Sequence, residues 1–442
     1  MMEKHELLAS IDESIKMIQS KAGKDGKVIV LVSGGVDGMV TAALLLKALP
    51  PQNVYAIHVD HGFMRKNESE AVGEMLRKFG FNNMLVINAQ DEFLNGRVEV
   101  DGVLAPPLCE VSDPEMKRKI IGSMFIEIVK KAADSFNLDY DTTFIAQGTL
   151  RPDLLESGNP DVGSANLVKS HHNDVDIVRR AREKGMIIET NWNWYKDDVR
   201  AVARILGIDE EIASRQPFPG PGLAVRILCA SESQEISNIS AGKLNEFDKL
   251  LSSSTKISGA IAPILSVGVQ DGDMRSYKNL CVLYGEPDFN ELEQIVKTIP
   301  QKLDFINRCV YVLNKENVAE LVCNKLTMSE SSAALIREID YIVTSEISKF
   351  LADGVNSPNP PQIEQYFGVL LPISTARSTK KYSAVIRTIR TRDFMEARAA
   401  LPGRDIPLEV LHSIADKLSA LDDIDLVLYD MTAKPPATIE WE

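Results

Sequence analysis

Val28-Ile-Val-Leu-Val-Ser-Gly-Gly-Val-Asp-Gly38 is the stretch on which the reading of this chain turns. Five apolar residues read as a buried strand, Ser33-Gly34-Gly35-Val36-Asp37-Gly38 as a turn, and residues 37–49 as a helix. A strand that breaks at glycines and restarts as a helix presents backbone N–H groups to an anion, with the positive helix end behind them. Paired glycines let the backbone come close to that anion. The spacing is not that of a Walker loop, which needs more widely separated glycines and a Lys-Ser/Thr pair.

Outward from this stretch, strand patterns at 28–32, 54–59, 84–88 and 142–146 alternate with helix patterns at 37–49, 68–79 and 115–134. In the last of these, Ile120, Ile121, Met124, Phe125, Ile128 and Val129 recur at helical spacing. Apolar strands alternating with helices imply an α/β fold with a parallel sheet covered on both faces. Ligands of such sheets lie beyond the carboxyl ends of the strands, which places 33–38, 60–65 and 147–151 on one rim. Residues 88–114 are irregular and proline-rich, expected to be an insertion or mobile loop; 158–173 reads alike, and long loops on a ligand rim often act as lids. Residues 217–222 hold three prolines and two glycines, which excludes a regular helix or central strand and suggests a linker. Beyond it, an α+β pattern in 266–313 recurs in 379–431, as two copies of a small sheet-and-helix unit would.

A chain of 442 residues is expected to hold two or three domains. Its net charge of −14 argues against a primary nucleic-acid or anionic-membrane role, while a few local Arg and Lys residues still suffice for a phosphorylated small substrate. Cys109, Cys229, Cys281, Cys309 and Cys323 include no CxxC pair, so zinc and thioredoxin chemistry lack support and reduced thiols are expected. With no apolar run of about 18 residues and no apolar signal core in 1–22, the chain reads as cytoplasmic.

Individual residues carry chemistry with competing structural explanations. Gly34, Gly35 and Val36 can offer backbone N–H groups and Ser33 a hydroxyl to phosphate. Asp37 suits a Mg²⁺ ion bridging phosphates, or simply a helix cap. Asp60 suits an acceptor near a nucleotide sugar or base, or a turn residue. Lys169, His171 and His172 suit phosphates or a surface loop, and two adjacent histidines without a third ligand argue against a metal site. Arg151 suits a substrate phosphate or a salt bridge that shapes its loop. Lys434 and Glu440 flank Pro435-Pro436 in what is otherwise a terminal tail.

The glycine turn resembles the SGGxDS pyrophosphate loop of the N-type ATP pyrophosphatases. Further phrases resemble the GMP synthetases within that group: Val59-Asp60-His61-Gly62-Phe63-Met64-Arg65-Lys66, Gln147-Gly148-Thr149-Leu150-Arg151-Pro152-Asp153, Lys169-Ser170-His171-His172-Asn173, the linker, Val267-Gly268-Val269-Gln270, and Lys434-Pro435-Pro436-Ala437-Thr438-Ile439-Glu440-Trp441-Glu442. The doubled C-terminal unit looks like the eukaryotic form. The resemblance implies an adenine nucleotide alpha-hydrolase-like ATP pyrophosphatase domain over 1–216. It implies a dimerisation domain over 217–442, with repeats at about 223–330 and 331–442. It implies adenylylation of the C2 oxygen of xanthosine 5′-monophosphate (XMP) by ATP with Mg²⁺, release of pyrophosphate, and displacement of AMP by ammonia to give GMP. Asp37, Lys169 and His171 would be catalytic, with Asp37 also holding the metal. Ser33, Gly34, Gly35, Val36, Asp37, Gly38 and Asp60 would bind ATP or pyrophosphate. Arg151, Gln270, Arg308, Gln365, Lys434, Ile439 and Glu440 would bind XMP, and the chain would be a homodimer.

Two departures qualify this expectation. No glycine-flanked cysteine with a His–carboxylate pair precedes the loop, so the usual glutaminase is missing from this sequence. Free ammonia, a separate glutaminase subunit and a longer gene product remain open as sources. Gly38 also stands where the family motif has Ser; losing one charge-assisted hydrogen bond costs about 1.5–3 kcal/mol, about 10- to 150-fold, so ATP turnover is expected to be weakened, without having to be abolished. The alternative is a weakened or inactive relative that binds nucleotide or pairs with a partner chain. A tRNA-thiolating pyrophosphatase is disfavoured by the acidic charge and the missing cysteine pair.

Overall fold

The computed structural model describes residues 2–139, 142–148, 181–231, 239–252, 254–270, 274–318, 320–355, 357, 360–391 and 396–442. The chain forms two units, one of Met1–Ala105 with Lys119–Gly220 and one of Pro106–Arg118 with Pro221–Glu442.

The first unit is built on strands β1 (Lys27–Leu31), β2 (Val54–Asp60), β3 (Asn83–Asn88), a short antiparallel hairpin β4 (Glu99–Val100) and β5 (Val103–Leu104), then β6 (Thr143–Gln147) and β7 (Ile187–Glu189). The main sheet runs β3-β2-β1-β6-β7 with every pair parallel. Helices α1 (Lys4–Ala22), α2 (Val36–Ala48), α3 (Glu68–Lys78), α4 (Gln90–Asn95), α5 (Pro114–Ser135), α6 (Lys196–Ile205) and α7 (Glu210–Ala213) complete its order, except that the start of α5, through Arg118, belongs to the second unit. Val36, Met39, Val40, Ala42, Ala43, Leu44 and Leu45 leave α2 apolar nearly all round, which is why it is buried. It packs with Leu7, Ile11 and Ile18 of α1 and Val199 and Val202 of α6 in one core with β1. The strands and helices read from the sequence sit within about two residues of their expected bounds. The structure adds α1, β7 and α6. It also corrects the reading of 88–114 as irregular, because α4, the β4–β5 hairpin and a 3₁₀ turn at Leu108–Glu110 occupy it. Residues 158–173 lie outside the described residues.

The second unit contains helices α8 (Ala241–Leu251), α9 (Phe289–Lys302), α10 (Glu330–Gly354) and α11 (Leu408–Ser419). Its strands are β8 (Ile257–Gln270), β9 (Met274–Gly285), β10 (Ile306–Val312), β11 (Leu321–Cys323), β12 (Gln365–Leu371), β13 (Ile373–Thr375), β14 (Tyr382–Thr391), β15 (Ala397–Arg398) and β16 (Ile424–Asp430). The large sheet runs β12-β14-β16-β10-β9-β8, with β15 on β14, while β11 pairs with β13. On one side β8 and β9 are antiparallel and β10 returns parallel to β9; on the other β12 and β14 are antiparallel and β16 returns parallel to β14. The two halves meet at β10 and β16, antiparallel and buried at every residue.

Candidate functional site

The glycine turn lies beyond the carboxyl end of the central strand β1. Gly34 has φ +88°, a left-handed conformation suited to glycine. Gly35 then caps α2 in extended geometry and, having no side chain, gives the helix start no cap hydrogen bond. The first N–H groups of a helix lack intrahelical acceptors, so this turn is left to an outside acceptor.

Asp37 sits in the first turn of α2. Its Oδ2 accepts from Lys196 Nζ at 2.5 Å, while its Oδ1 is buried without a hydrogen-bond partner. Its carbonyl accepts from Thr41 Oγ1 at 2.9 Å and Asn191 Nδ2 at 3.1 Å. Thr190 joins these, bonded to both Thr41 and Asn191 at 2.8 Å. Gly148, just past β6, lies so close that a Cβ there would stand 2.9 Å from the Asp37 carbonyl oxygen. The rims of β1, β6 and β7 thus converge on Asp37. An unpartnered carboxylate oxygen beside a glycine turn suits Mg²⁺, which usually takes one or two carboxylates and completes its shell with phosphate oxygens and water. Among the described residues there is no cluster of three or more metal-ligating side chains.

The other rim positions are occupied differently. Asp60 Oδ1 accepts from the Gly62 N–H at 2.9 Å and Oδ2 from Gln90 Nε2 at 3.3 Å, so Asp60 shapes the turn after β2. His58 is buried, with Nδ1 2.6 Å from the Val32 carbonyl and Nε2 3.0 Å from Ser69 Oγ. Arg215 Nη1 donates to the Gly34 carbonyl at 3.0 Å and to Glu68 Oε1 at 3.2 Å. Ser33 is exposed at the turn, Val36 is buried, and Gly38 has space for a Cβ. Arg151, Lys169, His171 and His172 lie outside the described residues. Sequence reading missed Lys196, Asn191 and Arg215, which lie 159, 154 and 181 positions from the loop residues they touch.

In the second unit the last dozen residues are bound into the sheet rather than left as a tail. Lys434 and Ala397 exchange backbone hydrogen bonds at 2.8 and 3.0 Å, and the Val269 N–H donates to the Pro436 carbonyl at 2.8 Å. Gly268 admits this approach, since a Cβ there would lie 2.6 Å from that carbonyl oxygen. Arg308 is fully buried: it pairs with Asp430 at 2.6 Å, donates to the carbonyls of Val267, Thr438 and Glu440, and lies 4.3 Å over the Trp441 ring. Burial lowers its pKa to about 10, against the opposing pull of Asp430. Arg387 pairs with the other Asp430 oxygen at 3.1 Å and donates to the Thr432 carbonyl at 2.6 Å. Arg226 binds both carboxylate oxygens of Glu440 at 3.0 Å and Asp340 at 3.1 Å. Three buried guanidiniums thus face Asp430, Asp340 and Glu440, so the charges balance, as burial demands. Lys117 pairs with Glu442, whose carboxyl burial pushes upward in pKa while Lys117 opposes it. Ile439 packs on the core of this unit, and Gln365 is buried at the start of β12. Gln270 ends β8, and its side chain lies outside the described residues.

The GMP synthase C-terminal domain family matches residues 330–441. The glutamine-hydrolysing GMP synthase of Dictyostelium discoideum is 34% identical over 460 residues, covering 94% of this chain and 62% of that protein. A probable GMP synthase of Caenorhabditis elegans is 36% identical, covering 97% and 65%, and one of Leptospira interrogans is 35% identical, covering 98% and 67%. The chain therefore spans 62–67% of the length of these relatives. Among solved structures, an ammonia-dependent NAD synthetase from Campylobacter jejuni has 16% identity and a TM-score of 0.32, covering 57% of this chain and 85% of its own.

Proposed function

Since the chain belongs to the GMP synthase family, we propose that it converts XMP to GMP with ATP, Mg²⁺ and ammonia. The observation that carries this reading is Asp37, one oxygen held by Lys196 and the other buried and unpartnered, at the mouth of an uncapped glycine turn.

In this scheme the C2 oxygen of XMP attacks the α-phosphorus of ATP, and the bond to pyrophosphate breaks. Ammonia nitrogen then adds at C2, the C2–oxygen bond breaks, and AMP leaves. The N–H groups of Gly35, Val36 and Gly38, with the Ser33 hydroxyl, bind the departing pyrophosphate, whose charge must be neutralised as it develops. When bound, Mg²⁺ neutralises part of that charge, and Asp37 Oδ1 would hold it. The Lys196 ammonium keeps the Asp37 carboxylate in place and adds positive charge at the turn. Lys169 and His171 are assigned to the phosphates and Arg151 to the substrate by their match to the family motifs. Lys434, Ile439, Gln270 and Gln365 are assigned to XMP on the same ground. Arg308 and Glu440 are assigned to the tail segment carrying Lys434 and Ile439, because their bonds go to that segment and to Arg226. Asp60 orders the turn beside the nucleotide.

Release of AMP in a mixture of ATP, Mg²⁺, XMP and ammonium salt is the deciding assay. XMP-dependent AMP is expected; its absence at high enzyme concentration overturns the proposal. Gly38 favours one second reading, a nucleotide-binding chain without turnover, which predicts pyrophosphate binding with no AMP release even after Gly38→Ser. Homodimer formation through the second unit belongs to the same proposal and is measured as molar mass by light scattering.

A further inference from the structure

We propose that Arg215 is a positioning residue for the phosphate loop, setting the direction of the Gly35 N–H from the foot of the proline-rich linker; this rests on the pyrophosphate reading above.

Arg215 Nη1 donates to the Gly34 carbonyl oxygen at 3.0 Å. Carbonyl and N–H of one trans peptide point in opposite directions. The Gly34–Gly35 bond is not among the cis peptides of the described residues, so fixing the Gly34 carbonyl on Arg215 turns the Gly35 N–H away from Arg215. That N–H is one of the donors assigned to pyrophosphate. A glycine pair without side chains does not hold a peptide plane by itself, because glycine visits both signs of φ freely. The plane needs an external partner, and Arg215 supplies it.

The guanidinium is in turn held by Glu68. This carboxylate is 3% exposed, and its Oε1 accepts from the same Nη1 at 3.2 Å. Its Oε2 accepts from the Arg65 N–H at 3.0 Å, which binds it to the turn after β2. The pair lies against the Gly34 α-carbon: a Cβ there would meet Arg215 Nη1 and Glu68 Oε1 at 3.3 Å and Val72 at 3.0 Å. Arg215 opens the segment Arg215-Gln216-Pro217-Phe218, and the Phe218 ring lies 4.2 Å beneath the Arg65 guanidinium. Two arginines thus fasten the beginning of the linker to the turns after β1 and β2. A displacement of residues 215–218 would release the Gly34 carbonyl and let the Gly35 N–H swing out of line.

The test measures calorimetric affinity for inorganic pyrophosphate with Mg²⁺, and separately for AMP, in wild type, Arg215→Met, Arg215→Lys and the double variant Glu68→Gln/Arg215→Met. Loss of an oriented donor to a charged ligand corresponds to about 10- to 100-fold weaker pyrophosphate binding in Arg215→Met. AMP affinity is expected to hold, because AMP lacks the phosphates that the loop would bind; general collapse of the fold would lower both. Arg215→Lys should recover part of the loss, since an ammonium can still donate to the Gly34 carbonyl and Glu68. The double variant removes the carboxylate that Arg215→Met leaves buried without the Arg215 counter-charge, so its melting temperature should recover while pyrophosphate binding stays weak. Wild-type pyrophosphate affinity in Arg215→Met, or its return in the double variant, overturns the inference and leaves the cradle reading standing. A wild type that binds AMP but no pyrophosphate overturns the cradle reading and this inference with it.

Discussion

Gly38→Ser separates the two readings of the phosphate loop most sharply, and the structure sets its magnitude. Gly38 is the third residue of α2, outside the left-handed glycines. A Cβ there would meet the Leu31 carbonyl oxygen at 3.5 Å, Val32 Cα at 3.8 Å and the Ser33 nitrogen at 4.0 Å, all ordinary contacts. The side chain is accommodated without backbone movement, and replacing glycine in a helix turn gains about 0.5 kcal/mol for Ser and up to about 1 kcal/mol for Ala. A rise in melting temperature of about 1–4 °C follows for either variant. The hydroxyl then has two possible partners, the Leu31 carbonyl or a bound anion. If it bonds the anion, the gain is about 1.5–3 kcal/mol, or about 10- to 150-fold in pyrophosphate affinity. Gly38→Ala carries the helix gain without the hydroxyl, so the ratio of Ser to Ala isolates it. The assays are pyrophosphate calorimetry, thermal melting and XMP-dependent AMP release on all three proteins. If Gly38→Ser binds pyrophosphate no tighter than Gly38→Ala while both melt higher, the hydroxyl has gone to Leu31, and the account of weakened turnover is refuted. A lower melting temperature for both would refute the steric argument.

Two further outcomes follow from the second unit. Arg308→Met removes one of the two guanidiniums paired with Asp430 and the donors that Arg308 gives to the Thr438 and Glu440 carbonyls; breaking such a buried network costs about 3–5 kcal/mol. The urea midpoint should fall and Trp441 emission shift to longer wavelength, and unchanged values of both would count against the tail-anchoring role. Asp425 is buried, which alone would raise its pKa, but Lys315 at 2.6 Å and bonds from Thr375 and Ser378 outweigh this and leave it below the usual 3.8. A carboxyl lowered on folding stabilises above its unfolded pKa and loses that contribution as pH falls through the folded value. Asp425→Asn should therefore melt well below wild type at neutral pH, with the gap closing under acid; a gap that stays constant from neutral pH to about pH 2 would refute the assignment.

Much of the first unit was legible because its signals are local. β1, the glycine turn and α2 are adjacent in sequence, and the alternation of apolar strands with helices specifies a parallel sheet without reference to anything distant. Helix α1 carries its signal in Leu7, Ile11 and Ile18, widely spaced among charged residues, so its apolar stripe is thin in sequence. β7 was not legible, since three residues display no period. The linker was recognised by its prolines, whereas the role of Arg215 beside it was not, because its acceptor is the Gly34 backbone. The C-terminal segment reads as a tail by composition; its bonds to Arg308, Arg387 and Arg226 come from strands and turns far earlier in the chain. A buried arginine and a substrate-binding arginine look the same in sequence, and only the surrounding carbonyls and carboxylates distinguish them.

By itself the sequence determined that a parallel sheet would end in a glycine turn opening a helix, because strand period, glycine freedom and helix restart are properties of neighbouring residues. Only the tertiary structure decided what faces that turn: Lys196 on Asp37, Asn191 and Thr41 on its carbonyl, and Arg215 with Glu68 on Gly34. Ion pairs and buried hydrogen bonds depend on which distant turns the order β3-β2-β1-β6-β7 brings to one rim. That order is set by packing summed over the whole unit, so no local stretch of residues encodes it.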